Sequence, residues 1–302
     1  MGDKNEFDVI IIGGSYAGLS AAMTLGRALR NVLVIDSGKP CNMQTPYSHN
    51  LITQDGKTPK EISSLAKEQV QQYDTVKFHN GLAVKGRKTK TGFEIETEKG
   101  ALFTATKLIL ATGVKDLMPN IKGFADCWGI SILHCPYCHG YEYKGDPTGI
   151  LANGDSAFEF AKLINNWTTN LTIFTNGPST LSDAQLESLS TYQININETK
   201  IDAFNHVNGL LESISFVNGE KASIKALYAR PEFEQHCKIP MELGCELSEQ
   251  NHIIVDAFQK TTVDGVHACG DNAAMFRAVS YAIATGTIAG AMTNRSLIEE
   301  NF

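Results

Sequence analysis

The 302-residue sequence has no basic stripe and no block of Lys or Arg: 26 cationic residues stand against 33 acidic ones, a formal net charge of −7. That balance excludes nucleic acid as the main partner. No apolar run reaches transmembrane length. Met1 to Phe7 passes directly into strand-like residues, without the charged and apolar regions of a secretory signal, so a cytoplasmic location is expected. The seven cysteines are an odd number and do not suggest the disulfide framework of a secreted domain. Cys41, Cys127, Cys237, Cys245 and Cys269 read as small apolar residues. What remains is a soluble globular composition, 42% hydrophobic and 20% charged, long enough for two ordinary domains.

The first organised stretch is Asp8-Val9-Ile10-Ile11-Ile12, a β-branched run of the kind buried on both faces of a parallel sheet. Gly13-Gly14-Ser15-Tyr16-Ala17-Gly18 follows, then a helical pattern from Leu19 to Arg30 closed by Asn31, then a second strand, Val32–Ile35, ending at Asp36 and Ser37. This is a dinucleotide-binding unit. The N–H groups and positive dipole end of the helix suit a pyrophosphate, Gly13 allows a tight turn, Gly18 allows close packing, and Asp36 can accept hydrogen bonds from a ribose. Ser15 stands where the fingerprint has its middle glycine. A weaker unit begins at Thr148–Ala152, with a helix expected from about 157 to 167 and a returning strand at Leu171–Thr175. Between the two, strands are expected at Phe93–Thr97, Ala101–Ala105 and Lys107–Ala111, the last leading into Thr112-Gly113. Near the end, Gly265–Cys269 leads into Gly270-Asp271. A final helix, roughly Ser280 to Leu297, is rich in Ala and Gly and suited to close packing against sheet or cofactor. Asp271 reads either as a helix N-cap or as a partner for a ribityl hydroxyl.

Cys135-Pro136-Tyr137-Cys138-His139 carries the redox chemistry. Two cysteines flanking two residues close an easily reduced disulfide, and the first thiol of such a pair often has a lowered pKa. A structural zinc site needs four N or S ligands. His134 and His139 complete that number, but residues adjacent to the pair are poorly placed to finish one tetrahedron, and there is no second CxxC. Either histidine can also exchange protons with a thiolate near neutral pH, or serve only structure.

Taken in order, the Gly13–Gly18 loop, Ala111-Thr112-Gly113, the CxxC and Gly270-Asp271 resemble the low-molecular-weight thioredoxin reductases, FAD-dependent pyridine nucleotide-disulfide oxidoreductases, over nearly the whole chain. The resemblance implies an α/β fold of two Rossmann-like, three-layer ββα nucleotide-binding domains, the second inserted into the first. Residues 1–115 and 247–302 would form the FAD domain, and 116–246 the NAD(P)-binding-like domain with the CxxC. It implies a homodimer in which Cys138 faces the flavin and Cys135 exchanges with a thioredoxin-like protein or a small-molecule disulfide or dithiol. Ala278 would lie by the flavin's pyrimidine edge, where the family has Gln. His139 replaces the Asp that usually follows the CxxC. With Ser15 and Leu243-Gly244-Cys245-Glu246-Leu247, it is closer to the branch of gliotoxin- and holomycin-type dithiol oxidases.

The second nucleotide site departs most. Ala152 stands at the first glycine, and Thr175 to Ser182 contains no Arg or Lys for a 2′-phosphate. Each missing charge-assisted hydrogen bond forfeits about 1.5–3 kcal/mol. NADPH, NADH or no nicotinamide donor therefore all remain open beside FAD. The leading reading is a flavin-linked disulfide oxidoreductase of thioredoxin reductase type; the alternatives are a small-molecule dithiol oxidase using oxygen, a reductase fed by a non-nicotinamide donor, and a non-catalytic flavin-binding sensor.

Overall fold

The computed structural model describes residues 5–302; the expected absence of a signal before that point rests on residues outside this range. In chain order the elements are β1 (Glu6–Ile12), α1 (Tyr16–Arg27), β2 (Val32–Asp36), α2 (Pro59–Gln71), β3 (Val76–Asn80), β4 (Ala83–Lys88), β5 (Phe93–Thr97), β6 (Leu102–Leu110) and β7 (Val114–Asp116). The chain continues through α3 (Phe124–Cys127), β8 (Ile132–Leu133), α4 (Pro136–His139), β9 (Thr148–Leu151), α5 (Gly154–Ile164), β10 (Leu171–Phe174), α6 (Asp183–Thr191) and β11 (Asn195–Asn197). It closes with β12 (Ile201–Val207), β13 (Leu210–Phe216), β14 (Lys221–Ser223), β15 (Ala226–Ala229), β16 (Phe233–Gln235), α7 (Ile239–Glu242), β17 (Val266–Ala268) and α8 (Val279–Asn301). No helix among the described residues is long and apolar enough to cross a membrane. Two compact units divide the chain: one comprises residues up to Met43, Lys60–Lys115 and Phe233–Phe302, the other Gln44–Pro59 and Asp116–Glu232.

The first unit is built on a seven-stranded sheet in the order β3-β2-β1-β6-β5-β4, with β17 also on β6. The β-branched runs pair in parallel at its centre, Ile12 opposite both Ile35 and Leu110, and Val9, Ile10 and Ile11 are fully buried. Burial on both faces explains why these strands read as continuous apolar runs. Where the sequence suggests two strands over 101–111, there is one. The first part of β6 pairs antiparallel with β5 and the last part parallel with β17. Lys107 is buried within this continuous strand, and its ammonium pairs with Glu300.

Helix α1 starts at Tyr16 rather than Leu19, because the chain is still extended at Ser15 and turns helical immediately after it. It stops at Arg27 rather than Arg30. Leu29 has φ +62°, Leu29 N–H bonds to Gly26 O and Arg30 N–H to Leu25 O, the wrap of a Schellman motif with a leucine in the glycine position. The small residues of α8 lie against α1. A Cβ on Gly286 would stand 2.1 Å from Ala17 O, and one on Gly290 2.8 Å from Ala21 O.

Residues 233–246 belong to this first unit, so its second boundary falls after Glu232 and not at 247. The cause is apolar. Ile239 is fully buried and seats its side chain where a Cβ on Gly86 would be, and Cys245 joins the same core. Segment 44–59 likewise groups with the second unit although its sequence neighbours do not.

The second unit has a five-stranded parallel sheet, β11-β10-β9-β15-β8, and a three-stranded antiparallel sheet, β12-β13-β14. Strand β15 shows how the layers form. Leu227 and Ala229 join the core that contains Phe204, Ile214 and Phe216, while Ala226 and Tyr228 join the core with Ala157, Phe160 and Leu189. Alternation along a strand thus gives one face to the small sheet and the other to α5 and α6, a ββα sandwich. The described helix α5 begins at Gly154, three residues ahead of the expected start, because Asn153 caps it.

Gly286→Ala is expected to destabilise the protein by about 1–3 kcal/mol, since the added methyl meets backbone that cannot yield. Ala284→Ser, on the exposed side of the same helix, is expected to change stability little; urea denaturation of both variants checks the pair.

Candidate functional site

In the first unit, the loop between β1 and α1 is shaped by steric necessity. A Cβ on Gly13 would lie 2.1 Å from Ala111 O, and one on Gly18 1.9 Å from Gly13 O. Gly13 has φ +106° and Gly113 φ +64°, conformations that favour glycine. Gly14 N–H donates to Asp36 Oδ1 at 3.2 Å, tying the loop to the end of β2, where Ser37 is exposed. Ser15 makes no side-chain cap, so the first N–H groups of α1, beside Ala17 and Gly18, are not engaged by it. From the other end of the unit, Gly270 N–H donates to Thr285 Oγ1. Asp271 faces Arg277, Nε–Oδ2 3.5 Å, and Cys41 Sγ at 4.0 Å. Helix α8 starts at Val279 with Ala278 as its N-cap, which removes the N-cap reading of Asp271. Asn272, which sequence reasoning passed over, donates to Leu110 O and Thr112 Oγ1 and leaves a buried Oδ1 without a hydrogen bond. Glycines that only backbone can approach, a helix N-terminus without its own cap and an unsatisfied buried acceptor fit a dinucleotide. The residues expected from the sequence to hold FAD, Gly13, Gly14, Ser15, Ala17, Gly18, Asp36, Ser37, Ala111, Thr112, Gly113, Gly270, Asp271 and Ala278, all lie in this first unit.

In the second unit, β8 delivers the CxxC. Cys135 is extended at the N-cap of α4 and Pro136 occupies its first turn, where a missing N–H costs nothing. Cys135 and Cys138 Sγ are 2.8 Å apart, and both are partly exposed. The hydrogen bond from Cys138 chiefly draws the Cys135 thiol down to about 7, against the opposing effect of burial. Backbone N–H groups of Cys138 and Tyr137 and the charge of Arg230 also lower it. That same bond, with burial, pushes Cys138 far up. Cys127 and Cys237 are pushed up to about 11 and Cys269 to about 12 by burial, which separates them from the reactive pair.

The two flanking histidines have different settings. His134 lies against the Trp128 ring, centroids 6.4 Å apart. Burial, then the neighbouring His49, lowers His139 to about 4, so its ring is neutral at neutral pH. His49 stands edge-on to it, centroids 6.2 Å apart. Neither His49 nor Arg230 was marked by any local motif, because each reaches the CxxC from a distant part of the sequence.

The entrance of α5 is occupied by the protein itself. Asn153 Oδ1 accepts from Gly154 N–H and Thr180 N–H, both at 2.9 Å, and a Cβ on Gly154 would meet Thr180 Oγ1 at 2.8 Å. Asp155 accepts from Gln185, and Glu198 Oε1 accepts from Ser179 N–H at 2.8 Å. One capped N–H, at Gly154, and two nearby carboxylates make this entrance less suited to a nucleotide phosphate than that of α1.

A model of the family described as pyridine nucleotide-disulphide oxidoreductase matches residues 7–286. Thioredoxin reductase tcpT of Claviceps purpurea (strain 20.1) is 33% identical over 311 residues, covering 99% of this chain and 97% of that protein. Thioredoxin reductase sirT of Leptosphaeria maculans is 31% identical over 305 residues, covering 95% and 93%. The crystal structure of the putative thioredoxin reductase TrxB from Bacillus anthracis has a TM-score of 0.93 at 30% identity, covering 98% of this chain and 100% of that one. The match takes in the first glycine loop, the CxxC and Gly270-Asp271 together: the chain belongs to the pyridine nucleotide-disulphide oxidoreductase family, as an FAD-dependent disulfide oxidoreductase of the thioredoxin reductase type.

Proposed function

We propose that Cys135 and Cys138 form the redox-active disulfide and that this enzyme oxidises small dithiols, with Cys135 as the exchanging sulfur. The observation that carries the direction is the α5 entrance, where Asn153, Asp155 and Glu198 stand in place of a phosphate clamp. With carboxylates and no cation at that entrance, this reading has electrons enter through the CxxC.

The chemistry follows from the two sulfurs. His139, neutral at working pH, takes the proton of the first substrate thiol. The substrate thiolate attacks Cys135 Sγ, the Cys135–Cys138 bond breaks, and Cys138 leaves and takes up a proton, which its burial favours. The second substrate thiol then attacks the mixed disulfide. Cys135 departs as a thiolate, the better leaving group of the pair because its pKa is lowered. The balance is one substrate disulfide formed, one enzyme disulfide opened and one proton released. Bound FAD supplies the two-electron redox partner for this pair. We further infer a soluble homodimer; Met275, Phe276, Ile283 and Ile288 are exposed apolar residues on or just before α8 that a partner subunit can cover.

The reverse direction, reduction of a thioredoxin-like disulfide, has the support of the relatives' names. Anaerobic titration separates the two. Dithiothreitol is expected to bleach the bound flavin, NADPH and NADH to leave it coloured, and readmitted air to be consumed in step with dithiol. Rapid bleaching by either nucleotide would sink the oxidative reading. The thiol assignment has its own test. In the reduced protein, alkylation of Cys135 by iodoacetamide, followed by peptide mass spectrometry, is expected to rise with a midpoint near pH 7. Arg230→Gln removes a charge that favours the thiolate, so the midpoint is expected to move upward.

A further inference from the structure

Segment 44–59 lies in sequence between β2 and α2 but groups with the second unit. It is a tightly closed loop. Ser48 N–H bonds to Lys57 O at 2.8 Å, Gly56 N–H to Ser48 O at 2.9 Å and Asn50 N–H to Asp55 Oδ1 at 2.8 Å. Thr53 has φ +73°, an unfavourable conformation for a β-branched residue, and Ile52 is 89% exposed. The loop carries one imidazole, His49, into contact with the CxxC region.

Both ring nitrogens of His49 face carboxylates: Nδ1 stands 3.6 Å from Asp55 Oδ2 and Nε2 3.6 Å from Glu142 Oε1. Its ring meets that of His139 edge-on, with an interplanar angle of 89°. The groups facing it are therefore Asp55 from its own loop, Glu142 from the turn after α4, and His139 from α4 itself. Exposure rises along this series. The His49 side chain is 21% exposed, Glu142 38% and Asp55 65%.

We infer that His49 is the proton exit for His139: the proton released when a dithiol opens the Cys135–Cys138 disulfide passes from His139 to His49, and from there to Glu142 or Asp55 at the surface. The inference rests on the thiol exchange proposed above. Exchange leaves one proton on a buried ring that holds it weakly. The edge-on spacing is within reach of a relay through one water. A positive charge arriving at His49 meets two carboxylates, and departing charge meets solvent. His49 touches no reacting sulfur, so it is a positioning and relay residue.

The test is single-turnover reduction of the oxidised pair by dithiothreitol in the flavin-loaded protein under anaerobic conditions. Acid quenching and mass-spectrometric counting of thiols at Cys135 and Cys138 follow the reaction. His49→Asn is expected to slow reduction about tenfold or more near neutral pH, without changing the dithiothreitol concentration at half-maximal rate, and added imidazole is expected to restore most of the loss. Asp55→Asn combined with Glu142→Gln leaves His49 in place and is expected to slow the same step. Undiminished rates in either variant overturn the relay, as does a slow His49→Asn protein that imidazole does not rescue, since that marks a structural role. Wild-type behaviour reports separately on the underlying reading. A wild-type pair that exchanges with dithiothreitol but passes no electrons to oxygen refutes the oxidative direction and leaves the relay to be judged by its variants. A wild-type pair that dithiothreitol cannot reduce overturns both.

Discussion

Two sulfur atoms 2.8 Å apart cannot both carry a negative charge. One negative charge therefore settles on one of them, and the local hydrogen bonds choose Cys135. Every other feature of this region serves that choice. Strand β8 and Pro136 hold the pair at the start of α4, Arg230 arrives from the end of β15 to favour the charge, and burial keeps His139 neutral beside it. The two thiols become unlike partners, one suited to exchange and departure, the other to holding a proton.

The first unit obeys a different constraint, the approach of backbone to backbone. The carbonyl of Ala111 stands where Gly13 would carry a side chain, the carbonyl of Gly13 where Gly18 would, and the carbonyl of Ala17 where Gly286 would. These contacts bring β1, α1, β6 and α8 to the same small volume. The second unit repeats the strand–loop–helix plan without the same result. There Asn153 caps the Gly154 N–H and carboxylates stand nearby, so the two copies of one plan present unlike helix entrances.

Much of this was legible along the chain. The buried strands, the glycine loop and its closing Asp36 lie within one continuous stretch, and their periodicity and spacing report them directly. The hairpin joining β12 and β13 was equally marked by its Asn208-Gly209 turn, although it was not read. Other features left no local trace. Two strands were expected on either side of Thr106 because β6 changes partners there, from antiparallel β5 to parallel β17, and β17 comes from a distant part of the chain. The extent of α1 turned on Leu29 taking a left-handed conformation that its residue type does not advertise. The unit boundary after Glu232 was set by Ile239 filling the space above Gly86, a packing event between segments far apart in sequence.

The sequence by itself determined the chemistry available: a CxxC that can cycle between dithiol and disulfide, a glycine loop that admits a dinucleotide, and a second loop without cations. These depend on residue type and short spacing, which covalent geometry carries into any fold. Only the tertiary structure decided what surrounds the pair. Arg230 acts on Cys135 through its charge, His49 on His139, and Glu142 faces His49. Those forces depend on distance in space, and residues from separate loops acquire such distances only when the sheets and helices between them have packed.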